Sequence, residues 1–599
     1  MYTPGGLLSI RYDGTDRRTH LKVVGKTFFQ TPETADGNPA DDVRISPDGA
    51  WALAQVATQL YLIAVPRMGG EPPTVNVFTP SVPVARITDI GADYFNWADN
   101  GATITWAIGA NFFRQPVQTV SFEAKKPEES KAAEATTPAQ PAAEPAKNKK
   151  GKKEAAKTEE PKKEEAKKEE KKPRYEEIAV TLEAPRHHPQ GTVVLSGARV
   201  IPMHGDVIAE ADIIVKNNRI AAVGARGSFK APEGARVIDV SGTTIVPGFI
   251  DLYPHWFEIR RGVLDMQNWS FLTNLAYGVT TGRDPQTGTN DMFAYQDLVD
   301  MGEMIGLRAY STGPGVFADT DFQSLDDVKS GVARYKKYYR TTWLKSYMIG
   351  NRQQRQWMVQ ACKEVGVMPT TEGGISAKLD LSHVIDGFSG NEHSMPIVPL
   401  YKDIVELIAR SGIAYTPTLI VAYGGPWAEN YYYENTEVHD DPKVRRFIPH
   451  NIVDGNTRRR PQWFRKDEQV FPRLAATDAK IVQAGGHVLI GSHGQFQGLG
   501  YHWEMWSLSS GGMSNMDVLR AATIRGAEAM GLQQDLGSVE PGKLADLVVL
   551  SKNPLDDIHN TNSVRYVMKD GELFEGDTLN QVWPVEKPLP ALWWWEDKP

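Results

Sequence analysis

A few side chains able to ligate a metal or move a proton recur at the ends of short apolar runs. They are His255 in FIDLYPH, Lys345 in WLKSY, Glu372 in MPTTEGG, His393 in GNEHS and His493 in IGSHG, with Tyr253 two residues before His255. Imidazole and carboxylate are suitable donors for zinc or a similar divalent ion. Such an ion polarises a carbonyl and lowers the pKa of bound water to about 7, so that hydroxide is available at neutral pH to attack an amide carbon. A neutral imidazole is also suited to taking a proton from water and passing it to a leaving nitrogen. Each residue has a plainer role to set beside this one. His383 and His487 lie early in apolar runs and are expected to be structural, while His204 and His450 fall in turns and are expected to be solvated. Glu372 can cap the Gly373-Gly374 turn that follows it. Lys345, flanked by Trp343, Leu344 and Tyr347, is costly to bury as a charge unless a carboxylate or a modification compensates it.

The elements that must position these groups alternate strand-like and helical stretches from residue 244 to about 535. That alternation predicts βα units closing on a parallel barrel. The strand candidates are Thr244–Asp251, Gly278–Thr281, Leu307–Ser311, Thr342–Tyr347, Val367–Thr371, His383–Phe388, Ala414–Val421 and His487–Gly491. Eight strands at this spacing suit a (β/α)₈ barrel, which presents its chemistry at the C-terminal strand ends. Short strands with turns over 191–243 and again over 538–580 predict a small β-sandwich domain split by the barrel of 244–537. Residues 1–123 show β-type runs and hairpin turns, among them Pro47-Asp48-Gly49 and Asp99-Asn100-Gly101, in two units about 50 residues apart. Repetition at that period suggests propeller blades, but only two or three of them, which points to a fragment of a longer precursor. Residues 124–173 are Lys, Glu, Ala and Pro with almost no apolar content and are expected to be disordered, interrupting a hairpin that resumes over 174–190. The stretch 581–599 carries three consecutive Trp and is expected to pack rather than bind a ligand.

Composition narrows the class. The 599-residue chain has a net charge of -8, which gives no case for nucleic acid, and a single cysteine, Cys362, which excludes an internal disulfide or a thiolate cluster. Cys362, beside Val365 and Val367, is expected to be a buried, inert thiol. A mean hydropathy of -0.40 has its source in the charged 124–173 segment. No run of about 18 apolar residues is present, so no membrane span is expected, and the N-terminus lacks a signal-peptide pattern.

Taken in order, ARVIPMHGDVIAEADIIVKNNRIAAVG, IVPGFIDLYPH, GSVEPGKLADLVVL and VMKDGELF resemble the amidohydrolase superfamily over about 390 residues. The branch it is most similar to is the imidazolonepropionase-like one, of the type fused to Tol-type β-propellers. That resemblance implies a metal-dependent hydrolase of C–N bonds other than ordinary peptide bonds, acting on a small amide or peptide-like molecule. It also implies a metal first shell of His255, Lys345 (carboxylated), Glu372 and His393, with one ion rather than two. Three positions depart from the family pattern. Tyr253 replaces the first histidine of Asp-x-His-x-His, Glu372 a histidine of the fifth strand, and His493 the proton-shuttling aspartate of the eighth. His493 is therefore read as the catalytic base. Tyr253, Arg283, Tyr423, His502 and Glu504 are read as substrate-side groups, with pairing between Arg283 and Asp284 as a structural alternative. A catalytically degenerate barrel with a binding or scaffolding role is the alternative function, and an interaction protein built on the propeller is disfavoured. The resemblance alone suggests a periplasmic or secreted location. Homo-oligomerisation is left open.

Overall fold

The structure, a computed structural model, describes residues 1–25, 37–56, 58–66, 70–122, 174–259, 263–285, 290–317, 322–457 and 463–595. The expected disordered segment 124–173 and the last residues of the Trp-rich tail lie outside these.

An N-terminal all-β region precedes a TIM-barrel-like domain. Within the former, Asp42–Ile45, Trp51–Val56, Gln59–Ala64 and Val84–Arg86 make one four-stranded antiparallel sheet. Tyr94–Ala98, Thr103–Ile108, Asn111–Pro116 and Glu176–Ala179 make another. Strand Asn111–Pro116 pairs directly with Glu176–Ala179, so the strands on either side of the charged segment are neighbours in one sheet. The turn at Asp99-Asn100-Gly101 has φ of 50°, 54° and 92°, the left-handed conformation that Asn, Asp and Gly tolerate best.

A nine-stranded sheet comes next, and two distant segments build it. Thr192–Val200, Ile208–Lys216, Arg219–Ala225, Arg236–Asp239 and Thr244–Pro247 come from before the barrel. Leu547–Leu550, Val564–Lys569, Glu572–Glu575 and Gln581–Trp583 come from after it. The seam is the antiparallel pair Thr244–Pro247 with Leu547–Leu550. Val193, Leu195, Ile213, Val215, Ile245, Leu547, Val549, Met568 and Leu573 share one core across that seam. Ending the chain at Gly537 removes Leu547, Val549, Met568 and Leu573 from this core and frees a strand edge. The truncated protein is expected to be insoluble, and recovery of a soluble monomer with full secondary structure by circular dichroism would show that the segments do not depend on each other.

The barrel strands, numbered here for the barrel alone, are β1 (Phe249–Asp251), β2 (Val279–Asp284), β3 (Arg308–Ser311), β4 (Trp343–Tyr347), β5 (Met368–Glu372), β6 (Gly390–Glu392), β7 (Ala414–Thr416) and β8 (His487–Val488). Parallel pairing runs β1-β2-β3 and β4 through β8. Leu252 N donates to Ile490 O at 3.1 Å, joining the last strand to the first. Two expected strands are corrected. Thr244–Asp251 is two strands: its first half belongs to the nine-stranded sheet and only its last three residues to the barrel. His383–Phe388 lies mostly in the helix Ala377–Asp386, capped by Ser376 at its start and Gly387 at its end, and the sixth strand is Gly390–Glu392. An apolar run this short reads equally as strand or buried helix.

The N-terminal region is locked to the barrel by buried charge. Arg334 donates to Asp93 at 2.6 Å and to the Tyr339 hydroxyl at 2.8 Å, while Asn290 and the Gly109 amide reach the other Asp93 oxygen at 2.9 and 3.0 Å. Arg334→Met leaves Asp93 buried and uncompensated. A loss of about 3–5 kcal/mol is expected in urea denaturation, and a loss below about 1 kcal/mol would show that the contact is loose. The tail also packs: Leu592 is buried against Leu272, Phe447 and Phe574, and Trp595 Nε1 donates to Arg446 O at 2.8 Å. No described helix is long and apolar enough to cross a membrane.

Candidate active site at the barrel mouth

The ends of β1 and β8 are tied together before either delivers a functional group. Asp251, fully buried, accepts from Ser492 Oγ at 2.5 Å and from the amides of Tyr253 and Ser492 at 2.9 and 3.2 Å. Burial raises its pKa to about 6. Gln497 Nε2 donates to the carbonyls of Pro254 and His255 at 2.8 and 3.1 Å, fixing the turn after β1. Gly494, at φ 68°, passes so close to these carbonyls that a Cβ there would lie 2.1 Å from Pro254 O.

This scaffold gathers Tyr253, His255, His393 and His493. His493 stands against three rings, with centroid separations of 5.1 Å to Tyr253, 4.8 Å to His255 and 5.1 Å to His393. All three histidines have positive φ: 27° at His255, 70° at His393 and 59° at His493. Left-handed backbone at non-glycine residues costs roughly 1–3 kcal/mol each and persists where surrounding structure imposes it. Burial, then the neighbouring His255 and His393, pushes the His493 pKa well below the usual imidazole range, so the ring is neutral. His393 Nδ1 and His493 Nδ1 are buried without a hydrogen-bond partner, and these are the atoms a ligand must satisfy.

Beneath the rings lies a compact set of charges. Lys345 Nζ donates to Glu372 Oε2 and Glu392 Oε2, each at 2.9 Å, and stands 3.4 Å from the Tyr253 hydroxyl. Tyr253 in turn donates to Glu372 Oε2 at 2.6 Å. Arg283 stands across from Glu392 at 3.6 Å, with its Nε buried and unpartnered. Burial alone would raise the Glu372 pKa, but Lys345 and His393 overcome it and hold the carboxyl well below the ordinary range.

Several site readings change on this geometry. Arg283 takes Glu392, not Asp284, as its ion-pair partner, whereas Asp284 approaches His255 Nδ1 at 3.4 Å and accepts from the Trp256 amide at 3.2 Å. Glu392 was missed by the sequence reading, although its position in GNEHS directly before His393 puts it at a strand end. His502 and Glu504, read as substrate-side groups, are engaged elsewhere. Both are fully buried on the helix Leu499–Ser510, where His502 contacts Thr561 Oγ1 and Tyr277 O, and Glu504 accepts from the amides of Leu419 and Ile420 at 2.8 Å each. Tyr423 does reach the mouth, its ring 4.9 Å from that of His393, and the exposed Phe257 covers His255 at 4.9 Å. Elsewhere, His383 is buried beside Phe388, His487 contacts Arg525, and His204 and His450 are exposed. Cys362 is buried, with its pKa raised by burial.

Burial raises the Glu504 pKa to about 8, so the folded protein holds a proton that the unfolded chain releases in the ordinary carboxylate range. The stability this confers is complete at acid pH and is lost as pH rises towards about 8. Between pH 5.5 and 7.5 stability is therefore expected to fall with pH. Glu504→Gln should remove one proton's share of that slope, about 1.4 kcal/mol per pH unit. An unchanged slope in urea denaturation would contradict the protonated state.

A metal is a different matter. Among the described residues no group of three or more His, Cys, Asp or Glu side chains is gathered so as to hold one. The expected first shell does not fit as it stands, because Lys345 and Glu372 are engaged with each other and Glu372 also with Tyr253.

Residues 351–574 match the model of the amidohydrolase family. The chain carries an amidohydrolase family domain. It is 21% identical over 363 residues to an adenine deaminase of Deinococcus deserti (strain DSM 17065 / CIP 109153 / LMG 22923 / VCD115), covering 60% of this chain and 57% of that protein. An adenine deaminase of Moorella thermoacetica (strain ATCC 39073 / JCM 9320) is 31% identical over 125 residues, 20% of each chain. The structure of molinate hydrolase superposes with a TM-score of 0.51 at 16% identity, covering 65% of this chain and 96% of that one, which shows a shared fold. The chain thus spans little more than half the length of the first of these relatives. The family match supports a hydrolase acting on C–N bonds, and amidohydrolases typically use divalent metals.

Proposed function

We propose that the chain hydrolyses an amide, cyclic amide or peptide-like C–N bond at the barrel mouth. The observation that carries this reading is the strained histidine cluster in an amidohydrolase domain, with unpartnered nitrogens on His393 and His493. Neutral His493 takes a proton from water as its oxygen bonds to the carbonyl carbon. The same imidazolium then protonates the leaving nitrogen as the C–N bond breaks, so one water adds and one amine or ammonia departs. The rings of Tyr253, Tyr423 and Phe257, set against the three histidines, suit an apolar or aromatic substituent on that substrate. No step in this sequence is routed through a metal, since two of the side chains expected to hold one, Lys345 and Glu372, are engaged with each other.

A panel of N-acyl amino acids, dipeptides, lactams, aryl amides and aminopurines tests the reading, the last because of the deaminase relatives. Release of amine or ammonia from at least one class, increasing with apolar substituent size, is the expected outcome. If folded protein turns over none of them, the barrel is a binding scaffold.

A further inference from the structure

We propose that Lys345 is a permanent, unmodified ammonium, and that the quartet it forms with Glu372, Glu392 and Arg283 organises this site in place of a divalent metal. This rests on the hydrolase reading above and specifies what kind of hydrolase it is.

The argument begins with the donor inventory. A lysine ammonium has three hydrogens and no acceptor. Lys345 Nζ has acceptors at 2.9, 2.9 and 3.4 Å, which are Glu372, Glu392 and the Tyr253 hydroxyl, and its side chain has no exposed surface. Every donor is therefore placed, in a pocket where an unplaced one would be costly. Carboxylation would turn this donor into an anionic acceptor and change the local charge by two units. The new group would face two carboxylates at hydrogen-bond range with a single N–H left to donate and a negative charge of its own. As it stands, two cations, Lys345 and Arg283, meet two anions, Glu372 and Glu392, and the buried cluster is neutral.

The residues around the quartet agree with this. The Tyr253 hydroxyl donates to Glu372 Oε2 and lies 3.3 Å from His393 Nε2, and these two atoms are themselves 3.5 Å apart, so the phenol and the imidazole both crowd the one carboxylate oxygen that the ammonium also holds. A cation bound through Glu372 Oε2 would have to compete with the ammonium and the hydroxyl that both already use that oxygen. The quartet instead holds Tyr253 in place, and Tyr253 supports the His493 ring 5.1 Å away. Lys345 is thus a positioning residue, acting on the base through Tyr253.

The test uses the full chain, produced in medium supplemented with zinc and manganese and equilibrated with ¹³C-bicarbonate. Metal is counted by plasma mass spectrometry after gel filtration, and carbamate is sought as a ¹³C resonance, with Lys345→Arg as the variant that cannot carry one. The expected result is less than about 0.1 metal per chain, no carbamate signal distinguishable from Lys345→Arg, and turnover of the panel substrate unchanged after chelator treatment. About one metal per chain that is lost in His393→Ala would overturn the proposal. So would a carbamate resonance that disappears in Lys345→Arg. Metal count and carbamate are read without a substrate, so absence of turnover would count against the hydrolase reading alone.

Discussion

Replacing His493 by alanine lowers kcat/KM by about 10²–10⁴-fold on the best substrate of the panel, the usual size of a general-base contribution. Two features make this the largest functional effect expected of any single change. The imidazole is buried and neutral, so it is in the accepting form across the working pH range, and its Nδ1 has no protein partner to compete with water. The ring also occupies a backbone conformation that alanine adopts less readily than histidine, so the variant should be checked for an intact fold by near-ultraviolet circular dichroism. His493→Gln retains a polar side chain without an imidazole base and should lose nearly as much. If His493→Gln keeps more than about a tenth of wild-type kcat/KM, the base lies elsewhere, and His393, with the other unpartnered ring nitrogen, becomes the first residue to examine.

Lys345→Met should destabilise the barrel by about 3–5 kcal/mol, the range for removing one partner of a buried ion pair. The variant leaves Glu372 and Glu392 facing each other without the ammonium that holds both at 2.9 Å, and only Arg283 remains to balance them. Those carboxyls would have to take up protons, so the loss should be greatest at alkaline pH and shrink below the ordinary carboxylate range. Lys345→Met combined with Glu372→Gln removes one charge of each sign and should recover part of the loss, a coupling that a double-mutant cycle measures directly. A single variant less than about 1 kcal/mol below wild type in urea denaturation would show that the quartet is not formed.

Much of the site was legible because strand ends are legible. FIDLYPH, WLKSY, MPTTEGG and IGSHG each place an apolar run directly before a polar side chain, and the barrel converts that one-dimensional order into a shared mouth. The partners of those side chains were not legible. Nothing in the sequence says that Arg283 reaches across to Glu392 and not to its neighbour Asp284, because that depends on barrel geometry between non-adjacent strands. Glu392 was hidden by its own neighbour, since His393 drew the attention in GNEHS. His502 and Glu504 misled for the opposite reason. They follow β8 closely in sequence, but the helix Leu499–Ser510 buries both, His502 on the Tyr277 carbonyl and Glu504 on the amides of Leu419 and Ile420. The sixth strand was misplaced because HVIDGF is as apolar as a strand, while the Ser376 and Gly387 caps that mark it as helix are local signals outvoted by hydrophobicity.

The most direct test of the account is hydrolysis of the best panel substrate in H₂¹⁸O, followed by mass spectrometry of both products. One ¹⁸O atom per turnover in the carbonyl-bearing product, an equimolar amine or ammonia, and a rate of label incorporation that falls at least about 10²-fold in His493→Gln but not in His502→Gln is the predicted result. Amine released without label, or label incorporated equally fast without His493, would contradict hydrolysis at this mouth.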